Sequence, residues 1–320
     1  MARILTLGSS VSSLNSVNVD KSDMIYISKS GDELNYSIQM SEFVEYLKKA
    51  GGSKKAFGRD YNITLQQKYG YSATSTSSNF FSALASDCAN RDFSKIEFGD
   101  IMYMPVTWNS ATVNKWIVVG INHYDGIYNR SGYGKNGIKP GIVFRACFPF
   151  GILAHNNTDS NTIGWKGSLI RASFSGSSSA IAVAAPVKTA GLNYTINQAC
   201  GGHLQKISRY LGNTNDREWI LDYAFLPTEI ETYGRCHWTN EDYFSSSRQF
   251  GLYREAPHQI LVESSESATG NSTIWYWLAQ PATVNGTYTF CYVDHRGIAD
   301  CNLADDDSGV VPCWYFGAGD

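Results

Sequence analysis

Glu229, Glu231, Asp242 and Glu255 are carboxylates in polar, aromatic surroundings. Paired acids of this kind break glycosidic bonds, one protonating the leaving oxygen while the other attacks or activates water. Such a pair meets only in three dimensions, so spacing alone neither selects nor rejects these four. Nucleophilic catalysis has less to draw on, because the chain holds neither a G-x-S-x-G elbow nor an H-E-x-x-H helix. No catalytic residue is assigned.

Cofactor and metal chemistry are weighed in the same way. Gly132-Tyr133-Gly134-Lys135-Asn136-Gly137 satisfies G-x-G-x-x-G, but Pro140 and Gly141 follow and oppose the helix that a dinucleotide site requires. It reads as a glycine-rich surface loop. Cys200 with His203 and Cys236 with His237 offer zinc-ligand types, yet no two cysteines stand at the C-x₂₋₄-C spacing of a structural zinc site. Asp305, Asp306 and Asp307 are consecutive, so their side chains diverge and suit a solvated turn rather than a calcium cage. No cofactor and no metal is expected.

Binding has a candidate in the segment from His123 to Gly137. Tyr124, Tyr128 and Tyr133 are interleaved there with Gly126, Gly132, Gly134, Asn129 and Arg130. Rigid aromatic faces beside adaptable polar groups make a recognition surface, and a Tyr ring offers a sugar both an apolar face and a hydroxyl. Tyr124, Tyr128, Asn129, Arg130 and Tyr133 are therefore the candidate glycan contacts. The alternative is a decorated surface loop without a ligand.

The elements that would position these residues fall into two parts. In the first 50 residues, Met24-Ile25-Tyr26-Ile27-Ser28 and Leu34-Asn35-Tyr36-Ser37-Ile38 read as two strands of a hairpin around Gly31. Met40, Phe43, Val44 and Leu47 then recur at i, i+3, i+4 and i+7, one stripe of a helix over about 39–50. A ββα unit this small buries too little to stand alone. The stripe is the expected surface for attachment and oligomerisation. Residues 51–56 read as a linker. Beyond them short helices are expected at 61–71, 80–86, 201–210 and 219–226, and strands at 101–104, 116–121 and 141–146. The balance is an α+β body with many loops over 57–320.

Composition bounds the function. Aromatic residues are 13% of the 320 residues, enough for a sizeable core, and charged residues only 17%. A net charge of −3 argues against a nucleic-acid-binding surface spread over the chain. No apolar run approaches the roughly 18 residues of a membrane span, and the polar start does not read as a secretory leader. Most of the seven cysteines are expected to be buried, reduced thiols. Trp116, Trp275, Trp277 and Trp314 sit in apolar strings and are expected in the core.

Two resemblances add to this reading. The order Leu14, Asp23-Met24-Ile25-Tyr26-Ile27, Gly31, Leu34-Asn35-Tyr36-Ser37-Ile38, Phe43, Leu47 resembles the N-terminal module of bacteriophage fibre and virion-appendage proteins. Over about 98–317 the chain resembles a bacterial and phage domain family of unknown function with a C-type-lectin-like fold. The matching blocks are Gly99-Asp100-Ile101 with Trp116-Ile117-Val118, Trp165 to Arg171, Ala224 to Ile230, Tyr276-Trp277-Leu278-Ala279-Gln280-Pro281, Val293 to Ile298, and Gly309-Val310-Val311-Pro312. The family ending reads Trp-Leu-Arg-Ser-Pro and Gly-Val-Arg-Pro. Here Ala279, Gln280 and Val311 replace its Arg, Ser and second Arg, so any salt bridges those arginines make are absent.

Together the resemblances imply a bacteriophage structural protein, a head or tail fibre or appendage subunit. Residues 1–50 would join other virion proteins or sister copies in a homo-oligomer, and a C-type-lectin-like body would adhere to host or environmental glycans. The implied place is the virion, assembled in the host cytoplasm, with no nucleic-acid partner and no membrane insertion. A polysaccharide depolymerase and a capsid decoration without ligand are the competing classes.

Overall fold

The computed structural model describes residues 24–27, 36–39, 63–125, 138–176, 191–212, 217–239, 248–265, 273–283 and 286–318. The chain divides into two compact units, Met1–Asn62 and Ile63–Asp320, somewhat beyond the linker expected at 51–56. In the first unit β1 (Met24–Ile27) pairs antiparallel with β2 (Tyr36–Gln39), joining Met24 to Gln39 and Ile27 to Tyr36. That is the expected hairpin, with its second strand reaching the position where the helix was to begin. Met40, Phe43, Val44 and Leu47 lie outside the described residues.

The second unit opens with helices α1 (Leu65–Lys68) and α2 (Ser78–Ala89) and strands β3 (Ile101–Trp108), β4 (Ala111–Ile121), β5 (Gly141–Ala146) and β6 (Ile152–Ala154). Helices α3 (Gly164–Gly167), α4 (Leu169–Phe174) and α5 (Leu192–Ala199) follow. Then come β7 (Leu204–Gln205), β8 (Ile207–Gly212), β9 (Arg217–Asp222), β10 (Ala224–Phe225), α6 (Glu229–Tyr233) and α7 (Gly251–Glu255). The chain closes through β11 (Tyr276–Pro281), β12 (Thr289–Val293), β13 (Ala299–Leu303), β14 (Asp307–Gly309) and β15 (Cys313–Gly317). The unit is α+β and rich in strand.

Two sheets organise it. One runs β10-β15-β5-β4-β3, with β7 also on β15; the other runs β13-β12-β11-β14-β6. Pairings are antiparallel except β11 with β14. Residues 310–312 carry the chain between the sheets: Val310 N–H donates to Gly151 O at 3.0 Å, and Pro312 O accepts from Ala146 N–H at 2.9 Å. Gly141 faces Gly317 on β15, and a Cβ there would overlap the Phe316 carbonyl oxygen.

Local chemistry explains the elements that were legible. Ser77 caps α2 by accepting from Asn79 N–H at 3.2 Å, and Phe80, Phe81, Leu84 and Cys88 make its buried face. Trp116, Trp277 and Trp314 are buried as expected. The Trp116 indole N–H donates to Met104 O at 2.8 Å, its ring meets Trp314 edge-on at 5.8 Å, and Trp314 stacks on Phe144 at 5.1 Å.

The helices expected at 201–210 and 219–226 are strands β7 to β10. Arg209 on β8 and Asp222 on β9 are charged residues within these strands. Both charges point inward, so the true alternation is Ile207, Arg209, Leu211.

Candidate functional site

Two of the four carboxylates weighed for hydrolysis, Glu229 and Glu231, are committed to structure. Thr228 and Glu231 form a capping box at the start of α6: Glu231 N–H donates to Thr228 Oγ1 at 3.1 Å, and Thr228 N–H to Glu231 Oε2 at 2.8 Å. Glu229 gathers the irregular run after the helix. Its carboxylate accepts from the N–H groups of His237 at 3.2 Å, Trp238 at 3.1 Å and Thr239 at 3.2 Å, and from Thr239 Oγ1 at 2.7 Å. Burial pushes the Glu229 carboxyl above its ordinary value, against the pull of those donors. Both side chains are buried. Glu255 is exposed, and Asp242 lies outside the described residues.

Tyr124, expected at the recognition surface, is buried instead. Its hydroxyl donates to Glu231 Oε1 at 2.6 Å, and its ring packs edge-on against Phe225 at 5.8 Å and Tyr315 at 5.6 Å. It ends an internal chain of charges. Asp222 accepts from Arg171 Nε at 2.7 Å, Arg209 Nη2 at 3.0 Å and the Trp165 indole at 2.9 Å. Arg209 Nη1 in turn reaches Leu226 O at 2.8 Å and Glu231 Oε2 at 3.3 Å. Burial alone would raise the Asp222 carboxyl, but the two guanidiniums hold it below its ordinary value. Each charge here faces a partner, so the cluster is architecture. Tyr128, Asn129, Arg130 and Tyr133 lie outside the described residues, as does the G-x-G-x-x-G run.

The remaining sequence candidates are placed as follows. Cys200 is buried at the end of α5, where burial pushes its thiol up to about 12. His203 packs by Phe316, with ring centroids 5.3 Å apart. Among the described residues, no cluster of three or more His, Cys, Asp or Glu side chains is arranged to hold a metal ion. Asp305, Asp306 and Asp307 are exposed. All seven cysteines are thiols; Cys88, Cys200, Cys291 and Cys313 are buried, and Cys147, Cys236 and Cys301 are half-buried. Gln280 accepts from Glu229 N–H at 2.6 Å, so this position anchors α6.

An open aromatic surface sits where none was expected. Trp275, placed in the core by its apolar neighbours, is 43% exposed. It lies just before β11, beyond the cover that buries Trp277 on the same side of the strand. Its ring stacks on His295 at 5.8 Å and 24°, and its indole N–H donates to His295 Nδ1 at 2.6 Å. That bond makes Nδ1 the acceptor and leaves the imidazole proton on Nε2. Tyr292 lies 5.7 Å from the indole and donates its hydroxyl to Asp300 at 3.3 Å.

The β12–β13 turn fixes His295. Asp294 Oδ1 accepts from Arg296 N–H and Ile298 N–H, both at 2.8 Å, while Gly297 takes a φ of +80°. Thr273 Oγ1 donates to His295 O at 2.5 Å. Arg296 pairs with Asp294 at 2.7 Å yet keeps 64% of its side chain exposed, and Ile298 is 52% exposed. The result is an indole–imidazole platform whose His295 sits next to the exposed Arg296 in the same turn.

No family model, curated protein or solved structure matches the chain. Among the described residues, no helix is long and apolar enough to cross a membrane.

Two signals in the sequence point to the platform. Trp275 and Trp277 share a strand face by alternation, with Trp275 at its end. Asp294-His295-Arg296-Gly297 is a turn sequence that puts His295 and Arg296 at a hairpin tip.

Proposed function

We propose that the chain is a bacteriophage structural protein, a fibre or appendage subunit whose body adheres to surface glycans through the platform of Trp275 and His295. The observation that carries this reading is the exposed indole, held against the imidazole of His295, with Tyr292 and its partner Asp300 beside it. An indole face stacks on the C–H face of a pyranose, and the surrounding charges and hydroxyls bond its equatorial oxygens. A shallow platform gives weak single-site binding, which copies held together on a particle multiply. Residues 1–50 would join the subunit to other virion proteins or to sister copies.

The test is retention of the purified full chain on immobilised host-surface polysaccharides. Trp275→Ala should abolish retention while the melting temperature stays the same, because the indole lies outside the core. Unchanged retention of that variant removes the platform from the reading. Shortening of the polysaccharide by the wild-type chain would make it a depolymerase instead.

A further inference from the structure

Cys291 in β12 and Cys301 in β13 face each other across an antiparallel ladder. Hydrogen bonds flank the ladder at both ends: Ala304 N–H donates to Tyr288 O and Asp294 N–H to Ile298 O, each at 2.9 Å. Hydrogen-bonded and non-hydrogen-bonded pairs alternate in such a ladder. The bonds therefore fall on Phe290–Asn302 and Tyr292–Asp300, and Cys291–Cys301 occupies a non-hydrogen-bonded position. Opposed residues there have Cα atoms about 4.5 Å apart and side chains on one face of the sheet. A disulfide spans Cα separations of roughly 4.4–6.8 Å.

We propose that Cys291 and Cys301 are a disulfide site, closed by exchange with a low-molecular-weight disulfide such as oxidised glutathione. Cys301 is half-buried and Cys291 fully buried, so Cys301 reacts first. Its thiolate attacks one sulfur of the reagent, expelling one thiolate and leaving a mixed disulfide. Cys291 then gives up its proton to solvent and attacks the Cys301 sulfur, expelling the second thiolate. Two protein thiols are oxidised, one reagent disulfide is reduced to two thiols, and the protons released match those the leaving thiolates take up. Burial, with Glu229 nearby, pushes the Cys291 thiol well above its ordinary value, so the second step quickens with rising pH. Cys236 is also within electrostatic reach of Cys291 and is the competing sulfur.

The link has a structural consequence. β13 is an edge strand, paired only with β12 in its sheet, and it carries Asp300 at the rim of the aromatic platform. A covalent tie would hold that edge once the chain leaves a reducing compartment.

The experiment incubates the full chain with oxidised glutathione from neutral to mildly alkaline pH, and maps linkages by mass spectrometry of unreduced peptides. The expected result is loss of two alkylatable thiols, a Cys291–Cys301 peptide as the dominant linkage, faster closure at higher pH, and reversal by dithiothreitol. Cys301→Ser should leave Cys291 unlinked, and Cys236→Ser should leave the linkage intact. A stable glutathione adduct on Cys301 without closure overturns the proposal, as does a dominant Cys236–Cys291 link. So does absence of the linkage both in the native chain and after refolding in the same buffer.

Discussion

His155 carries a proton balance that reaches the stability of the whole body. Its ring stacks on Phe290 at 3.6 Å and 15°, and its Nε2 contacts Leu278 O at 3.3 Å. Burial pushes its pKa down to about 3, and that of His123 likewise to about 3. In the unfolded chain each titrates near 6.5. Between those values the unfolded state holds the extra protons, so the stabilisation is complete above about pH 6.5 and is lost as pH falls toward 3. The raised carboxyls of Asp100 and Glu229 oppose this slope only toward its acid end. His155→Phe keeps the stack and removes one titrating group. In denaturant melts between neutrality and about pH 5, the variant should lose stability less steeply, by about 1.4 kcal/mol per pH unit at most. An identical slope would mean that His155 stays protonated inside. Asp222 supplies a second prediction. Asp222→Ala strands the buried guanidiniums of Arg171 and Arg209, an effect of about 3–5 kcal/mol in chemical denaturation. At this scale the sequence was a poor guide wherever polarity and burial part company. Tyr124 looks like a loop aromatic, yet it is the inner end of a charge chain. Trp275 looks like core, yet it stands at a rim, because composition cannot report where a strand's cover stops.

The strands at 101–104, 116–121 and 141–146 were legible because each holds a short apolar run, Ile101–Met104, Trp116–Val119 and Ile142–Phe144. The helix over 80–86 was legible because its cap and apolar face lie within a dozen residues. The segment 201–226 was not, since its interior residues include Arg209 and Asp222, which become core-compatible only through each other and partners distant in sequence, Arg171 and Glu231. Strand order was equally hidden. The last strand, β15, lies between β5 on one side and β7 with β10 on the other. Loop closure over the whole body produces that pairing, and no local pattern encodes it. The consequence can be tested by ending the chain at Ser308. This removes β15 with Trp314, and a buried Trp side chain alone is worth about 3–5 kcal/mol out of the roughly 5–15 kcal/mol of a domain. Near-ultraviolet circular dichroism of the truncated chain should show no cooperative melt. A cooperative transition at the full-length temperature would mean that β15 is dispensable.

At the scale of the molecule, the division at Asn62 and Ile63 separates a hairpin-containing unit from a body whose described core runs from Leu65 to Phe316. The sequence anticipated such a division from composition and placed it at 51–56, a few residues early, because Gly51 and Gly52 are stronger punctuation than the polar run that follows. A two-stranded hairpin is marginal in water without further cover. The body, by contrast, encloses tryptophans, phenylalanines and a paired ion cluster of its own. A chain beginning at Ile63 should therefore melt at the full-length temperature and bind glycan per subunit as the full chain does. What it should lose is whatever residues 1–62 supply to others. Light scattering should report a smaller particle, and under the proposed fibre or appendage role complementation should leave the truncated chain out of virions. The two readouts separate the two roles: a smaller particle with normal incorporation assigns residues 1–62 to self-association, and the reverse assigns them to attachment. Unchanged mass together with unchanged incorporation would place both functions in the body and overturn the attachment reading.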